Sequence, residues 1–355
     1  MKIKVYDAMS DIVSDLTERE KDVILRRFGL GQEKQTLQAV GDIYGLTRER
    51  VRQIQDKSIV DITPKLSKHS FLEELSRNAQ KSLGKIKIKR ERTLLDDLGR
   101  MYNLSGDDIN YLRFFLILHK KLSYNPEDDN FHGYWGDSTQ RTKTANQVLK
   151  RIIAMLSKRP SKLWTSKEIF EIIEDEIKKG LGVKGDADEL KDFMRILKVI
   201  GKNPRNEFGL LNHPHISPTS LDDKVYFVLD SKNEHMHFTE IYDALQELSE
   251  IEDEFISKRW KKDYSKQSIQ NLLIMNPEFV WAGRGTYALK KWGVVEGTIQ
   301  DIMANIVKKY KEIDRQKLME ELAKERRFSK ITFEAYLRDK SRFSIAPDGT
   351  IRLVK

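Results

Sequence analysis

The chain has 355 residues, 39% hydrophobic and 34% charged, with 64 Lys and Arg against 55 Asp and Glu for a formal net charge of +9. That length exceeds what one core usually serves, so several small domains are expected, and the positive balance, spread along the whole chain, points to a polyanion, nucleic acid ahead of an anionic membrane. The lack of cysteine excludes disulfides, thiolate zinc sites, iron–sulfur clusters and cysteine nucleophiles.

The opening MKIKVYDAMSDIV has acids where a signal peptide needs an unbroken apolar core. No stretch approaches the roughly 18 to 20 apolar residues of a membrane span, the longest apolar run lying around residues 114–118. A cytoplasmic, nucleoid-associated protein is expected, with no membrane partner and no evident small-molecule substrate.

From Leu16 the chain reads LTEREKDVILRRFGLGQEKQTLQAVGDIYGLTRERVRQIQDKSI. Thr17 with Glu20 forms a capping box, and Val23, Leu25 and Phe28 give the first helix an apolar side before Gly29 ends it. Thr36 starts a second helix with Leu37, Val40 and Ile43, Gly45 turns the chain, and Thr47 starts a third with Val51 and Ile54. Helix, glycine turn, helix is a helix-turn-helix, whose second helix enters the DNA major groove leading with its amino-terminal residues. Arg48 and Arg52, and Glu49 and Gln53, are spaced i, i+4 on the side away from Val51 and Ile54. Arginine can pair with guanine, glutamate with cytosine and glutamine with adenine, while Arg50 at the flank suits phosphate. The plainer reading of such a face is a solvated, salt-bridged surface.

The segments LTERE, RRFGL, TLQAVG and LTRERVRQIQDKSI, in this order and spacing, resemble region four of the bacterial sigma-seventy family, whose last segment reads the promoter element near minus thirty-five. The resemblance implies base reading by Arg48, Glu49, Arg52 and Gln53, and backbone contacts by Arg19, Thr36, Thr47 and Arg50. Two departures stand out. Gln38-Ala39 precede Val40-Gly41 where the family has an acid, and Ile59-Val60-Asp61-Ile62-Thr63-Pro64 replaces the family's basic tail. Only about fifteen residues precede Leu16, too few for the family's polymerase-clamping and promoter-melting domains, so a complete sigma factor is not expected.

Beyond Pro64 a plan of three helices and a short hairpin recurs roughly every 60 to 75 residues, the size of a winged helix. The clearest copy spans residues 220–293: Val225, Phe227, Val228 and Leu229 on one helix, Phe238, Ile241 and Leu245 on a second, and Ile269, Leu272 and Leu273 on a third. FVWAGRGTYALKKWG then alternates apolar and polar about Gly283-Arg284-Gly285, a hairpin signature. HFTEIYDAL and FVWAGRGTYALKKWG resemble the HARE-HTH winged helix, also found in the delta subunit of Gram-positive RNA polymerase. By that resemblance Ser265, Lys266, Gln267 and Gln270 lie on the third helix, and Arg284 at the wing tip can reach DNA. The last segment repeats the order, with Lys330, Thr332 and Arg338 on its third helix and Pro347-Asp348-Gly349 as the turn. TANQVLKRIIAMLSKR, WTSKEIFEIIEDEI, ELKDFMRILKVIG and FGLLNHPHI outline another copy, as do LLDDLGRMY, SGDDINYLRFFLILHKK and an aromatic hairpin near Phe131 and Trp135.

Catalytic and metal readings find less support. His213 and His215, and His235 and His237 with Glu240, lack a third clustered ligand. The acids at Glu127-Asp128-Asp129, Asp222-Asp223 before Lys224, and Glu252-Asp253-Glu254 sit at helix starts or loops, where a metal-dependent nuclease would need them to converge on one ion. Tyr134, Trp135, Trp164, Trp260 and Trp281 are expected in cores more than as base-stacking platforms. No P-loop, dinucleotide, kinase or nucleophile-elbow motif is present.

The expected fold is therefore mainly α, an amino-terminal helix-turn-helix (1–68) followed by tandem winged-helix-like domains with short β-hairpin wings at 72–138, 140–219, 220–293 and 295–355. The expected protein is a non-enzymatic, sequence-specific transcription regulator without cofactor or metal, bound to duplex DNA with RNA polymerase as a further partner. The alternatives are an RNA polymerase-binding or anti-sigma-like protein, and a DNA-targeting subunit of a restriction or defence system.

Overall fold

A computed structural model describes residues 2–66, 69–294, 297–325 and 328–354. The expected domain limits at residues 1, 68, 295 and 355 lie outside them. The fold is mainly helical with small antiparallel sheets, in two compact units, residues 1–200 and 201–355.

Unit 1 opens with α1 (Lys2–Val13), α2 (Glu18–Phe28), α3 (Leu37–Tyr44), α4 (Arg48–Leu66) and α5 (Ser70–Ser82). There follow β1 (Ile88–Arg90), α6 (Glu91–Tyr102), α7 (Ile109–His119), β2 (Ser123–Asn125) and β3 (Tyr134–Gly136). It ends with α8 (Thr139–Ser157), α9 (Ser166–Leu181) and α10 (Ala187–Met194). Capping boxes start α2 at Thr17 and Glu20, α9 at Thr165 and Glu168, and α10 at Asp186 and Glu189, satisfying backbone N–H groups that the helix itself leaves unpaired.

Two features differ from the sequence reading. The opening residues form a helix, α1, whose Val5, Ala8, Met9 and Ile12 recur at helical spacing and are buried. The third helix of the helix-turn-helix is also longer than its two anchors imply. Past Val51 and Ile54, α4 continues through Ser58, Ile62 and Leu66, all buried and all on one stripe. Pro64 is accommodated inside it, and Thr63 in the same turn donates its hydroxyl to the Ile59 carbonyl at 2.6 Å.

Two apolar clusters therefore share α4. A small one joins Val23 of α2, Val40 of α3 and Val51, with Leu37, Tyr44, Leu46 and Ile54 around it. The larger joins Ile62 and Leu66 to α1, α2, α5, α6, α7 and Trp135 in one continuous core. The boundary expected between residues 68 and 72 falls within that core. Helix α7 is its centrepiece: Leu112, Phe114, Phe115 and Leu116 are at most 2% exposed. Phe114 meets Phe28 edge-on at 4.8 Å, and Asn110 donates to the Gly29 carbonyl at 2.9 Å.

In unit 1, helix α5, strand β1, helices α6 and α7, and strands β2 and β3 follow in order, and β3 lies between β1 and β2 in an antiparallel sheet. Lys89 on β1 reaches Asp97 at 2.6 Å and Asp192 of α10 at 3.5 Å, which holds α10 to this sheet. Arg151 of α8 pairs with the buried Glu176 of α9 at 2.8 Å.

Strands β4 (Ile200–Lys202) and β5 (Phe208–Leu210) form a two-stranded sheet. Unit 2 continues with α11 (Leu221–Lys232), β6 (Met236–His237), α12 (Phe238–Ser249), α13 (Lys266–Met275), β7 (Phe279–Gly283) and β8 (Thr286–Leu289). The order of elements matches α5 to β3, and the sheet order β6-β8-β7 has the same centre strand. The connection between β7 and β8 is the two-residue turn Arg284-Gly285, with Gly285 at φ +64° as a hairpin turn requires. Val225, Val228, Leu229, Ile241, Leu245, Ile269 and Leu273 form the core, with Phe238 and Leu272 half-buried against it.

The final stretch carries α14 (Ile299–Tyr310), α15 (Arg315–Glu325), α16 (Lys330–Leu337), β9 (Phe343–Ile345) and β10 (Ile351–Leu353) around a core of their own. Ile313, between α14 and α15, exchanges backbone hydrogen bonds with Ile351. It therefore takes the place that β1 and β6 hold in the other two sheets.

Candidate nucleic-acid interface

Helix α4 presents the face that a groove would meet. Thr47 caps it, its hydroxyl accepting from the Arg50 N–H at 3.2 Å. Arg48, Glu49, Arg50, Arg52 and Gln53 are all exposed, while Val51 is fully buried. The turn before α4 is set by close approach. Gly41 of α3 lies so near that a Cβ there would sit 2.5 Å from the Leu46 carbonyl oxygen, and Gly45 adopts φ +63°. These two glycines fix the angle at which α4 leaves α3.

Four of these polar side chains are engaged with one another. Arg52 donates Nε and Nη2 to the two carboxylate oxygens of Glu49, at 2.9 and 2.7 Å, and Nη1 to Asp56 at 2.7 Å. Arg50 donates to Gln53 Oε1 at 3.1 Å. The hydrogen bond from Arg52 holds the Glu49 carboxyl below its usual range. Arg48 makes no hydrogen bond or ion pair among the described residues. The charges thus pair along the helix and remain in water. Exposed pairs of this kind are cheap to break because solvent and salt screen them. Asp56 is a partner that the sequence reading missed, although its i+4 spacing from Arg52 was there to be read.

Of the expected backbone contacts, Thr47 and Arg50 lie at the start of α4 itself, and Thr36 and Arg19 lie on other elements. Thr36 caps α3 by accepting from the Ala39 N–H at 3.1 Å. Arg19, near the start of α2, is exposed, with its guanidinium 5.7 Å from the Tyr44 ring centroid. The three helices are tied at their polar edges. Asp22 of α2 accepts from Arg26 and from the Tyr44 hydroxyl, and Lys57 of α4 pairs with Glu20 of α2 at 2.9 Å. Glu20 also accepts from the Thr17 backbone N–H, and that bond first, then Lys57, lowers its carboxyl to about 2.

Helix α13 in unit 2 keeps its expected residues in solvent. Ser265 caps it, accepting from the Ser268 N–H at 3.1 Å. Lys266 and Gln267 are exposed, Gln270 is half-exposed, and Arg284 is exposed at the hairpin turn. In the last copy Lys330 and Thr332 lie on α16 and Arg338 forms its C-cap.

The other chemistry-bearing residues find structural places. His237 caps α12 with its ring, and His215 is half-buried beside His213, whose ring accepts its backbone N–H at 3.1 Å. Burial lowers the His215 pKa. No group of three potential metal ligands occurs among the described residues. Asp222 accepts from Asn276, Asp223 closes the cap at Ser220, and Lys224 turns inward to the carbonyls of Trp260 and Lys262, so these three do not converge. Tyr134, Trp135, Trp164 and Trp260 are buried, and Trp281 is 43% exposed.

A helix-turn-helix held at this angle, with an exposed polar leading face, defines a DNA-binding type of domain. Comparison with known proteins supplies its family: residues 12–61 match the model for Sigma-70, region 4, and this part of the chain is such a domain. Over 54 residues the chain is 44% identical to a protein named RNA polymerase sigma factor SigA from Bacillus sp.. That match covers 15% of this chain and 14% of the relative. No solved structure matches the chain. No helix among the described residues is long and apolar enough to cross a membrane.

Proposed function

We propose that this chain is a non-enzymatic, sequence-specific DNA-binding transcription regulator of the cytoplasm, which reads a promoter-like element through α4 and acts together with RNA polymerase. One observation carries the reading: the polar leading half of α4, with Arg48, Glu49, Arg52 and Gln53, stands in solvent on a Sigma-70 region 4 helix-turn-helix. In the bound state Arg48 and Arg52 donate to guanine edges, Glu49 and Gln53 read neighbouring bases, and Arg19, Thr36, Thr47 and Arg50 hold phosphates.

The later copies are proposed to be winged helices that lengthen the contact, that of residues 220–293 being of the HARE-HTH type. The shared order helix, strand, two helices, two strands, with the last strand central in the sheets β1-β3-β2 and β6-β8-β7, supports this. RNA polymerase as a partner rests on the region 4 domain and on the relative's name.

The test is selection of bound sequences from random duplexes by the full chain and by Arg52→Ala. The expected result is one enriched motif, with the variant losing preference at one base pair and roughly ten- to hundredfold in affinity for the selected site. An unenriched pool, with polymerase copurifying with the chain, would replace this reading with an anti-sigma-like one.

A further inference from the structure

The helices that occupy the third position in successive copies differ in what they can offer a ligand. α7 is enclosed in the unit 1 core. α10 begins with Asp186, Asp188 and Glu189, and Glu189 accepts from the Lys85 backbone N–H; an acidic helix start repels phosphate. α13 is led into by KRWKKDYSK, residues 258–266, in which Lys258, Arg259, Lys261, Lys262 and Lys266 face a single acid, Asp263.

The backbone of that lead-in is pinned from beneath. Trp260 is 1% exposed, packs on Phe227 at 4.8 Å and donates its indole N–H to the Ile216 carbonyl at 3.1 Å. Lys224, 2% exposed, donates to the carbonyls of Trp260 at 3.1 Å and Lys262 at 2.9 Å. With Trp260 anchored inward, the neighbouring charges point out. Lys261 is taken by Glu252, and Asp263 accepts from Gln246 at 2.6 Å. Lys258, Arg259 and Lys262 are exposed and have no carboxylate partner among the described residues. Three unneutralised cations on a backbone that is already ordered lose little freedom when an anion arrives.

We infer that residues 258–262 form a second duplex-DNA contact, in which Lys258, Arg259 and Lys262 grip the phosphate backbone independently of the base-reading face of α4. Duplex DNA fits better than a lipid surface because the segment's one large apolar side chain, Trp260, is buried and leaves nothing to insert between acyl chains. The inference rests on the reading of the chain as a DNA-binding protein, and it assigns the carboxy-terminal half a sequence-independent share of the affinity.

The test uses the full chain with Lys258→Gln, Arg259→Gln and Lys262→Gln combined, titrated onto a random-sequence 40-base-pair duplex across a salt series. A control variant carries Lys143→Gln, Lys150→Gln and Lys178→Gln, three exposed lysines of unit 1. Counterion release predicts that the slope of log affinity against log salt falls by about 2.5 to 3 in the first variant. Its affinity near 0.1 M salt should weaken roughly tenfold or more, and its melting temperature should hold because all three side chains are exposed. The control should keep the wild-type slope. An unchanged slope in the first variant overturns the inference, as does an equal fall in the control. Loss of binding to phosphatidylserine vesicles with duplex binding intact would also overturn it. Arg52→Ala separates the two readings: if it removes the preference at one base pair of the selected site while the 258–262 variant changes nothing, the proposed function stands and this inference fails.

Discussion

Helices α4 and α7 hold equivalent places in successive modules of unit 1, each being the last helix of its set, and their surfaces are opposite. α4 buries a single stripe, Val51, Ser58, Ile62 and Leu66, and leaves its leading polar face in water. α7, INYLRFFLILH, is apolar nearly all round and is enclosed by the helices about it. A helix that is hydrophobic on every side has no face left for a groove. A repeated plan of helices therefore does not imply a repeated surface: one copy keeps a polar face in water and the next is its wall. The small cluster of Val23, Val40 and Val51 holds little apolar surface for the helix-turn-helix, each buried valine contributing only about 1.5 to 3 kcal/mol. The second module supplies the rest.

The sharpest way to break this comparison is Phe114→Ala. It should destabilise unit 1 by about 3 to 5 kcal/mol, as deletion of a buried aromatic ring usually does. DNA binding by α4 should fall with it, because both belong to one folding unit. A melting curve and a duplex titration on the same sample would check both, and intact binding at a temperature where unit 1 has melted would refute the shared core. Gly41→Ala is next. Its Cβ meets the Leu46 carbonyl oxygen, so overpacking should cost about 1 to 3 kcal/mol and turn α4 relative to α3. Specific affinity should then drop more than affinity for random sequence, which parallel titrations would measure.

Acid should loosen the helix starts before the cores. Glu20, Glu168 and Asp301 are each held at about 2, the first two by backbone and side-chain bonds at their caps, Asp301 first by the Thr298 hydroxyl. Ordinary carboxyls titrate near 4. A folded value below the unfolded one means that the stabilisation is complete above the unfolded value and is lost as pH falls toward 2. Melting temperature should therefore decline from about pH 5 downward, and Glu20→Gln should flatten part of that decline for unit 1. The smallest effect expected is from Asp56→Asn, which frees one side of Arg52. It should raise affinity for the selected site by about two- to fivefold at low salt, and a decrease would mean that Asp56 positions Arg52 for the groove.

Much of this was legible residue by residue. Thr17 with Glu20, Thr36, Gly45 and Thr47 mark helix ends through local bonding that the chain carries wherever it goes, and the structure has the caps and the left-handed turn at those positions. The polar i, i+4 pattern of α4 was equally local. Less plain was α1, where Val5, Ala8, Met9 and Ile12 hold helical spacing but MKIKVYDAMSDIV mixes in acids and lacks a cap, and the continuation of α4 through Pro64 depends on partners far along the chain. The basic lead-in at 258–262 was visible as composition. That Trp260 and Lys224 pin it is visible only in three dimensions.

The sequence by itself determined the helix-turn-helix, its exposed polar face and the recurrence of three helices with a hairpin, because caps, glycine turns and apolar period act over a few residues. Tertiary structure alone decided which of the repeated helices stay free. Burial is settled by what packs against a surface, and α7 is withdrawn from solvent only because α1, α2, α4 and α5 are there to cover it.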